Sequence, residues 1–244
     1  MPDAGKKVAL ISGANKGIGF EIARQLARQG CTVLLGARHP ERGQKAAAKL
    51  QSDHVDVRFV ELDLARRDTI AAAASFIAEK FGRLDILVNN AGIADPGDGL
   101  PGKASLGAVE RIMQTNFLGH LAVTQAMLPL VRKAPAGRIV NVSSGLGSLT
   151  FNRDFDSQFA DVKLIGYCAS KAALNMLTVH LAYELRDTPI KVNSADPGYT
   201  ATDLNGNSGF QTVEQGAAEA IRLALLPADS PTGRFSATAG PEPW

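Results

Sequence analysis

Tyr167 and Lys171 are separated by four positions, in the run Tyr-Cys-Ala-Ser-Lys that ends at residue 171. On a helix, residues four apart lie on one face, one turn from each other. A phenol has an ordinary pKa of about 10, and a neighbouring ammonium group stabilises the phenolate and lowers that pKa. Ser144 ends an upstream Asn-Val-Ser-Ser stretch, and its hydroxyl can hydrogen bond to a carbonyl oxygen. The three residues predict a site that gives a proton to a carbonyl oxygen or takes one from an alcohol.

The same Tyr-x-x-x-Lys spacing also occurs on ordinary helix surfaces, so the start of the chain carries much of the argument. Residues 7–11 form a short apolar run that predicts a buried parallel strand. A turn with Gly13, Gly17 and Gly19 follows, and then an apolar pattern at helical spacing. Strand, glycine-rich turn and helix in this order are typical of a dinucleotide site, because the helix amino terminus offers N–H groups to a pyrophosphate.

Strand-like and helix-like segments alternate along the chain. This alternation predicts an α/β fold, a single doubly wound (Rossmann) domain over residues 1–244 with about seven parallel strands and helices on both faces. The predicted strands lie near 7–12, 31–37, 55–60, 84–89, 137–143, 189–195 and 232–236. The predicted helices lie near 17–29, 40–51, 66–81, 106–134, 167–186 and 212–226. The motifs follow strand ends, so they should meet in one crevice.

Composition narrows the class of protein. The chain has 244 residues and a formal net charge of +2, which gives no argument for nucleic acid or a membrane surface as a partner. Its two cysteines, Cys31 and Cys168, form no metal-binding or disulfide pattern, and we expect no metal. Neither a leader pattern nor an apolar stretch of about 18 residues is present, so we expect a cytoplasmic protein.

The motifs in combination resemble the short-chain dehydrogenase/reductase family, and within it most closely the carbonyl reductases. The resemblance covers about residues 6–244, and the motifs come in the family's order. They are the Gly-x-x-x-Gly-x-Gly turn, Asn89–Gly92, Asn116, Ser144, Tyr167, Lys171 and Pro197–Gly198. The resemblance implies a hydride transfer to a carbonyl carbon, with Tyr167 as acid, Ser144 as hydrogen-bond donor and Lys171 acting on the phenol and the cofactor ribose. It also implies that Asn116 holds a water that links Lys171 to solvent.

NADP(H) is the expected cofactor. Ala37 stands where an NAD-preferring site usually carries an acid, and Arg38 follows it. An arginine can bind a 2′-phosphate with paired hydrogen bonds, and Lys16 adds a second cation, with Arg42 as a further candidate. By resemblance, the cofactor-binding residues are Gly13, Asn15, Lys16, Gly17, Ile18, Gly19, Arg38, Asp63, Leu64, Asn90, Ala91, Gly92, Tyr167, Lys171, Pro197, Gly198 and Thr202. Thr200 is an alternative to Thr202, and Asp196 departs from the small or polar residue expected before Pro197.

Tyr167 follows Ser144 by 23 residues, since 167 − 144 = 23, whereas about a dozen is usual in the family. The extra residues form an insertion at about 145–165, as in carbonyl-reductase-like members, and its phenylalanines could line the substrate pocket. Because the insertion precedes a helix face that many relatives use to form tetramers, we expect a monomer. The substrate, its stereochemistry and the roles of Asp196 and Cys168 stay open.

The sequence therefore predicts an NADPH-dependent reductase of ketones and aldehydes that acts on a small molecule. Two alternatives remain. One is an NADP-dependent secondary-alcohol dehydrogenase with a narrow substrate range. The other is a catalytically silent nucleotide-sensing protein, against which the intact set of four catalytic-type residues argues.

Overall fold

A central β-sheet of eight strands organises the chain in a computed structural model that describes residues 5–157 and 159–244. The strands lie side by side in the order β3-β2-β1-β4-β5-β6-β7-β8, and the first seven are parallel. They are β1 (Val8–Ile11), β2 (Thr32–Ala37), β3 (Val57–Glu61), β4 (Ile86–Asn89), β5 (Arg138–Val142), β6 (Lys191–Ala195), β7 (Arg234–Ala237) and β8 (Gly240–Pro241). The strand order reverses between β1 and β4, which is where doubly wound sheets bind ligands.

Helices cover both faces of the sheet, as predicted. They are α1 (Gly17–Arg28), α2 (Pro40–Gln51), α3 (Arg67–Phe81), α4 (Leu106–Met113), α5 (His120–Val131), α6 (Leu149–Arg153), α7 (Ile165–Glu184) and α8 (Val213–Ala224). Alternate β1 residues point to opposite faces, so Ile11 packs with α1, α2 and α8 and Leu10 packs with α3, α5 and α7. Because both faces of the sheet are buried under apolar layers, its parallel strands are short apolar runs, and such runs can be recognised in the sequence.

Three features refine or depart from the sequence expectations. The helix expected over 106–134 contains a π-helical turn at Gln114–Gly119, so α4 and α5 form two α-helical segments on either side of it. The insertion folds into a short 3₁₀ turn at Gly145–Gly147 followed by α6. Strand β8 was not predicted; it has two residues, pairs antiparallel with β7 and ends the sheet.

A buried hydrogen-bond network joins the middle of the sheet to α7. Asn89 on β4 donates from Nδ2 to Asn141 Oδ1 on β5 at 2.8 Å, and Asn141 Nδ2 donates to Thr178 Oγ1 at 2.7 Å. Thr178 Oγ1 also lies 2.7 Å from Ser194 Oγ on β6. We call this set the Asn89–Asn141–Thr178 network. It fixes α7, and with it Tyr167 and Lys171, against three neighbouring strands.

Within residues 5–157 and 159–244, we find no helix that is both long enough and apolar enough to cross a membrane.

Candidate active site

The glycine-rich turn after β1 requires glycine at two positions for steric reasons. Gly13 has a φ of +64°, and a Cβ there would lie 2.8 Å from Ala91 Cα. A Cβ on Gly19 would lie 2.6 Å from Gly13 O. The turn is thus folded tightly on itself and against the segment after β4. The close approach leaves backbone, and not side chains, facing the amino terminus of α1.

Ser12 and Asn90 hold this turn beside the segment after β4. Ser12 Oγ accepts hydrogen bonds from the N–H groups of Asn90 (3.0 Å) and Ala91 (3.1 Å). Asn90 Nδ2 donates to Ser12 O at 2.9 Å. Asn90 is one of the predicted cofactor-binding residues, and its side chain is engaged in joining the two loops. Ser12 was not among the predicted site residues, although it immediately precedes the turn.

A basic groove opens at the start of α1, with a volume of about 710 Å³. Its lining residues are Asn15, Lys16, Gly17, Phe20, Arg42, Lys45, Ala46 and Lys49. In the described part of the chain, no side chain caps the first turn of α1, and that turn carries no acid. Unpaired N–H groups beside four cationic residues suit phosphate groups, so the residues present fit a phosphorylated dinucleotide.

Two of the predicted phosphate-binding cations occupy different positions relative to this groove. Lys16 lines the groove, and its Nζ donates to Asp203 Oδ2 at 2.6 Å in an exposed ion pair. Arg38 is exposed at the end of β2 and is not one of the groove's lining residues. Arg42, the weaker candidate in the sequence, does line it. The exposed Lys16–Asp203 pair is weak enough to exchange for a phosphate.

Asp63 and Leu64 lie at the end of β3, where the adenine-binding residues were expected. Asp63 Oδ1 accepts a hydrogen bond from Ala65 N at 3.0 Å, which closes a turn and leaves the other oxygen free of that contact. Leu64 is 5% exposed and packs against Gly119 in the π-helical turn. Ala91 O lies 2.6 Å from the ring Nε2 of buried His120. These residues shape the pocket chiefly through backbone position.

The segment after β6 reaches back to the glycine-rich turn. Gly198 has a φ of +66°, and Thr200 Oγ1 donates to Pro197 O at 2.9 Å. Thr202 Cγ2 lies 3.6 Å from the position that a Cβ on Gly17 would occupy. Thr200 is buried with its hydroxyl committed to the backbone, so the geometry favours Thr202 of the two threonine candidates.

Ser144 and Tyr167 meet directly. The Ser144 side chain lies close enough to the phenol to lower the pKa of Tyr167, and Ser144 Oγ accepts from Leu146 N at 3.2 Å at the start of the 3₁₀ turn. Ser143 is buried, and its Oγ donates to Lys171 O at 3.4 Å, so it supports the packing of α7. The serine that faces the phenol is the one predicted, because neighbouring residues at a strand end point to opposite sides.

Lys171 lies beneath the phenol with its charge almost entirely buried. The residue is 3% exposed, and Nζ donates to Val142 O at 2.8 Å. Nζ lies 5.6 Å from the centroid of the Tyr167 ring and 3.9 Å from the position of a Cβ on Gly92. Burial lowers the pKa of Lys171 to about 8, and the negative charge of Asp196 opposes that shift. The tyrosine and lysine thus share one face of α7, as the spacing predicted.

Asn116 lies in the π-helical turn, fully buried beside Gly92. Its Oδ1 accepts from Ile93 N at 2.8 Å, and its Nδ2 donates to Ile93 O at 3.0 Å and to Ser170 Oγ at 3.1 Å. The π turn widens the helix and turns this amide toward the segment after β4. Both amide hydrogens are used, so Asn116 positions that segment in addition to any water it holds.

The comparisons with known proteins agree with this geometry. The family model described as short chain dehydrogenase matches residues 7–212. The chain belongs to the short-chain dehydrogenase family. It is 36% identical to carbonyl reductase (NADPH) 1 of Mus musculus over 98% of this chain and 99% of that protein. It is also 36% identical to short-chain dehydrogenase/reductase 1 of Saponaria officinalis, over 95% of this chain and 94% of that one.

Solved structures give the same result. The NADPH-bound carbonyl reductase from chicken fatty liver has a TM-score of 0.85 at 28% identity, with 98% of this chain and 94% of that chain covered. Salutaridine reductase from Papaver somniferum has a TM-score of 0.82 at 31% identity, covering 94% and 99% of the two chains. The predicted family and fold class are confirmed, and the chain is an oxidoreductase.

The phenol of this dehydrogenase differs electrostatically from the sequence expectation. We expected Lys171 to lower the pKa of Tyr167, but the net direction is upward. Burial raises the pKa of Tyr167 above its ordinary value, the negative charge of Asp196 raises it further, and the hydrogen bond with Ser144 opposes both. The ammonium group is held at Val142 O, below the ring, so it does not overcome the burial of the phenol.

Asp196, whose role was open, is buried at the end of β6 with 7% of its surface exposed. Its Oδ1 accepts from Gly198 N at 2.9 Å, and its carboxyl group contacts that of Glu242, which follows β8. Burial raises the pKa of both carboxyl groups, that of Glu242 to about 8. Glu242 was not expected at the site, because its contact with Asp196 joins residues 46 positions apart (242 − 196 = 46).

Asp98 is a third residue at the site that was not predicted from the sequence. It lies in the loop before α4, and its Oδ1 and Oδ2 accept from Gly166 N (2.9 Å) and Tyr167 N (2.8 Å). It therefore caps α7 from a distant loop and fixes the first turn that carries the tyrosine. The predicted start of α7 without a neighbouring Ser, Thr, Asp or Asn was a signal that a cap had to come from elsewhere.

Proposed function

We propose that this short-chain dehydrogenase reduces ketones and aldehydes with NADPH. One observation carries the proposal: the side chains of Tyr167 and Ser144 lie next to each other at the carboxyl end of the sheet, with the Lys171 charge buried behind the ring. Two hydroxyl donors that converge on one point can both bind one carbonyl oxygen. The similarity to carbonyl reductases supports the reaction class.

We assign the catalytic roles to Ser144, Tyr167, Lys171 and Asn116. Ser144 donates a hydrogen bond to the carbonyl oxygen and Tyr167 gives it a proton as negative charge develops there. Lys171 stabilises the phenolate that remains, and Asn116 holds the segment at Ile93 in place. When bound, NADPH supplies the hydride that adds to the carbonyl carbon.

We place the cofactor along the carboxyl ends of β1, β2, β4 and β6. Its phosphates would meet the α1 amino terminus and the basic groove, and its nicotinamide end would meet Tyr167 and Lys171. The assigned residues are Gly13, Asn15, Lys16, Gly17, Ile18, Gly19, Arg38, Asp63, Leu64, Asn90, Ala91, Gly92, Tyr167, Lys171, Pro197, Gly198 and Thr202. The basic groove supports NADP(H) over NAD(H), because a 2′-phosphate adds two negative charges at most and needs cations nearby.

The secondary-alcohol dehydrogenase is the second candidate. It needs the phenolate of Tyr167 to take a proton from the alcohol, whereas a reductase needs the neutral phenol to give one. Burial and Asp196 raise the pKa of this phenol, and a raised pKa keeps it protonated. This electrostatic observation favours reduction. A silent nucleotide sensor is disfavoured, because it would not need the side chains of Ser144, Tyr167 and Lys171 to lie together at one site.

Loss of NADPH absorbance in the presence of aldehydes, diketones, quinones and ketosteroids tests the proposal. We expect oxidation of NADPH with several of these carbonyls, and much slower oxidation of NADH. Tyr167→Phe should lower kcat by about 10²-fold or more, since general acid catalysis contributes about 10²–10⁴-fold, while NADPH still binds. Retained turnover in this variant would refute the proton-donor role. Binding of NADPH without turnover of any carbonyl would favour the sensor.

We further propose that the chain is a monomer, because the insertion precedes α7. The exposed apolar side chains of Met176, Val179 and Tyr183 lie on the same helix, so a second copy covering α7 would bury them. Light scattering at micromolar concentration distinguishes a monomer from an assembly in which a second copy covers α7. A dimer or tetramer mass would overturn the monomer proposal and place an interface on α7.

A further inference from the structure

Two carboxyl groups from distant parts of the chain meet next to the hydroxyl pair. Asp196 follows β6, and Glu242 follows β8 near the carboxyl end of the chain. Glu242 Oε2 is buried and, in the described part of the chain, receives no hydrogen bond from an N–H or O–H group. Yet its carboxyl group contacts that of Asp196. Two ionised carboxylates in such a contact repel each other, and a single shared proton converts the repulsion into a hydrogen bond.

Asp196 connects the two turns that shape the reaction site. Its Oδ1 accepts from Gly198 N at 2.9 Å, in the turn that carries Pro197. The backbone of Gly145, next to Ser144, donates a hydrogen bond to the same carboxyl group. A Cβ on Gly145 would lie 3.1 Å from Asp196 Oδ2 and 2.7 Å from the Phe159 ring, so the insertion covers this contact. One carboxyl group thus fixes the turn after β5 and the turn after β6 relative to each other.

Glu242 is anchored on both sides. Its N–H donates to Phe235 O at 2.9 Å, as part of the turn that follows β7. Trp244 stacks on the Phe235 ring with centroids 5.5 Å apart, and Trp244 O accepts from Thr150 N (3.1 Å) and Thr150 Oγ1 (2.9 Å). The carboxyl group of Glu242 is therefore held against Asp196 by the tail of the chain and the insertion together.

The charged and titratable groups around this pair come from two helices. From α7, Tyr167 and Lys171 face Asp196, and Cys168 lies beside Tyr167. From α8, Glu219 faces Glu242; it is buried, ion-paired with Arg222 and bound by Ser236 Oγ. Among the described residues, Lys171 is thus the cation that faces Asp196 and Glu242. Together with Glu219, the two groups make up to three carboxylates in this region.

We propose that Asp196 and Glu242 share one proton and act as positioning residues for the reaction, the shared proton keeping the turns of Ser144 and Pro197 in place and limiting the negative charge beside Tyr167. The inference rests on the proposed reductase function. Loss of the proton places a second negative charge beside Asp196, and this charge disfavours the phenolate that forms when Tyr167 gives up its proton. Carbonyl reduction should then fall as Glu242 ionises, because burial and the charge of Asp196 raise the pKa of Glu242 to about 8.

The test compares the pH profiles of kcat/KM for NADPH-dependent quinone reduction in the wild type and in Glu242→Gln. An amide still donates to Asp196 but does not ionise, so the ratio of variant to wild type should rise about tenfold between pH 6.5 and 9. Titration of Lys171 affects both proteins and leaves this ratio unchanged. Glu184→Gln, on the exposed Arg132–Glu184 pair, is the matched control and should keep the wild-type profile. A ratio that stays flat across this range would overturn the proposal.

A second measurement does not depend on turnover. In protein labelled with ¹³C at the glutamate carboxyl carbon, the signal absent from Glu242→Gln reports the titration of Glu242. Titration near pH 8 supports the shared proton, whereas titration near the ordinary value of about 4.3 overturns it. If NADPH reduces no carbonyl but this signal still titrates near pH 8, the reductase function fails while the proton-sharing pair stands. Glu242→Ala, with no donor to Asp196, should lose more activity at pH 6.5 than Glu242→Gln.

Discussion

Thr178→Val tests whether the Asn89–Asn141–Thr178 network holds the catalytic helix on the sheet. The substitution replaces one hydroxyl by a methyl group of similar size at a site with no exposed surface. In the wild type, Thr178 Oγ1 accepts from Asn141 Nδ2 at 2.7 Å, lies 2.7 Å from Ser194 Oγ and donates to Leu174 O at 3.2 Å. Valine removes all three contacts without changing the volume of the core much, and Leu174 O keeps its place in the backbone hydrogen bonding of α7.

The expected loss of stability follows from these contacts. The orphaned Asn141 donor costs about 1–3 kcal/mol, because it is buried away from water. The lost hydrogen bond with Ser194 costs about 1 kcal/mol, and the added buried methyl group returns about 0.8 kcal/mol. The free energy of unfolding should therefore fall by about 2 kcal/mol. For a chain of this size that loss lowers Tm by about 4–8 °C.

Urea denaturation followed by circular dichroism measures this change. Thr238→Val, at an exposed position in the turn between β7 and β8, is the matched control and should change the free energy of unfolding by less than about 0.5 kcal/mol. A loss below about 0.5 kcal/mol for Thr178→Val would refute the reasoning, since it would mean that Asn141 finds another acceptor within the core.

Two further perturbations address the cofactor and the pH dependence of stability. Arg38→Asp should reduce the preference for NADPH over NADH by about 10–100-fold, since a charged hydrogen bond contributes about 1.5–3 kcal/mol. The ratio of kcat/KM with NADPH to kcat/KM with NADH measures this preference. An unchanged ratio would place the 2′-phosphate at Arg42. Burial lowers the pKa of His120 to about 3, below its value in the unfolded chain, so its stabilising effect is complete above pH 6.5 and is lost as pH falls. Between pH 7 and pH 5, His120 should lower the free energy of unfolding of the wild type by about 2 kcal/mol. Urea denaturation at the two pH values should show a correspondingly smaller loss for His120→Gln. Equal losses in the two proteins would contradict the lowered pKa of His120.

The parts of the fold that were predicted correctly depend on short stretches of sequence. The apolar run of β1, the glycines at 13, 17 and 19 and the helical spacing of α1 are all read within 25 residues. Gly13 and Gly19 are required by contacts of their own turn and of Ala91, so their presence alone signals a tight turn. The four-residue spacing of Tyr167 and Lys171 specifies one helix face for the same reason.

The parts that were missed depend on contacts between distant segments. Asp98 caps α7 across 69 positions, and Ser12 binds Ala91 N across 79. The π-helical turn at Gln114–Gly119 is not coded by a local breaker, and it coincides with the position where Asn116 must face Ile93. Sites are where local preference gives way to tertiary requirements, so misses of this kind concentrate around Asn116 and Asp196.

The reversed direction of the Tyr167 pKa follows from the same distant contacts. From the sequence, Lys171 is the charge nearest to the phenol, so its effect alone was expected. In the folded chain Lys171 Nζ is bound to Val142 O, and Asp196 contributes a charge of opposite sign from β6. Burial disfavours the phenolate and decides the direction, and the charge of Asp196 acts in the same sense. In the proposed reduction Tyr167 gives a proton in its neutral form, and tertiary contacts, not the Tyr-x-x-x-Lys spacing, are what keep the phenol neutral.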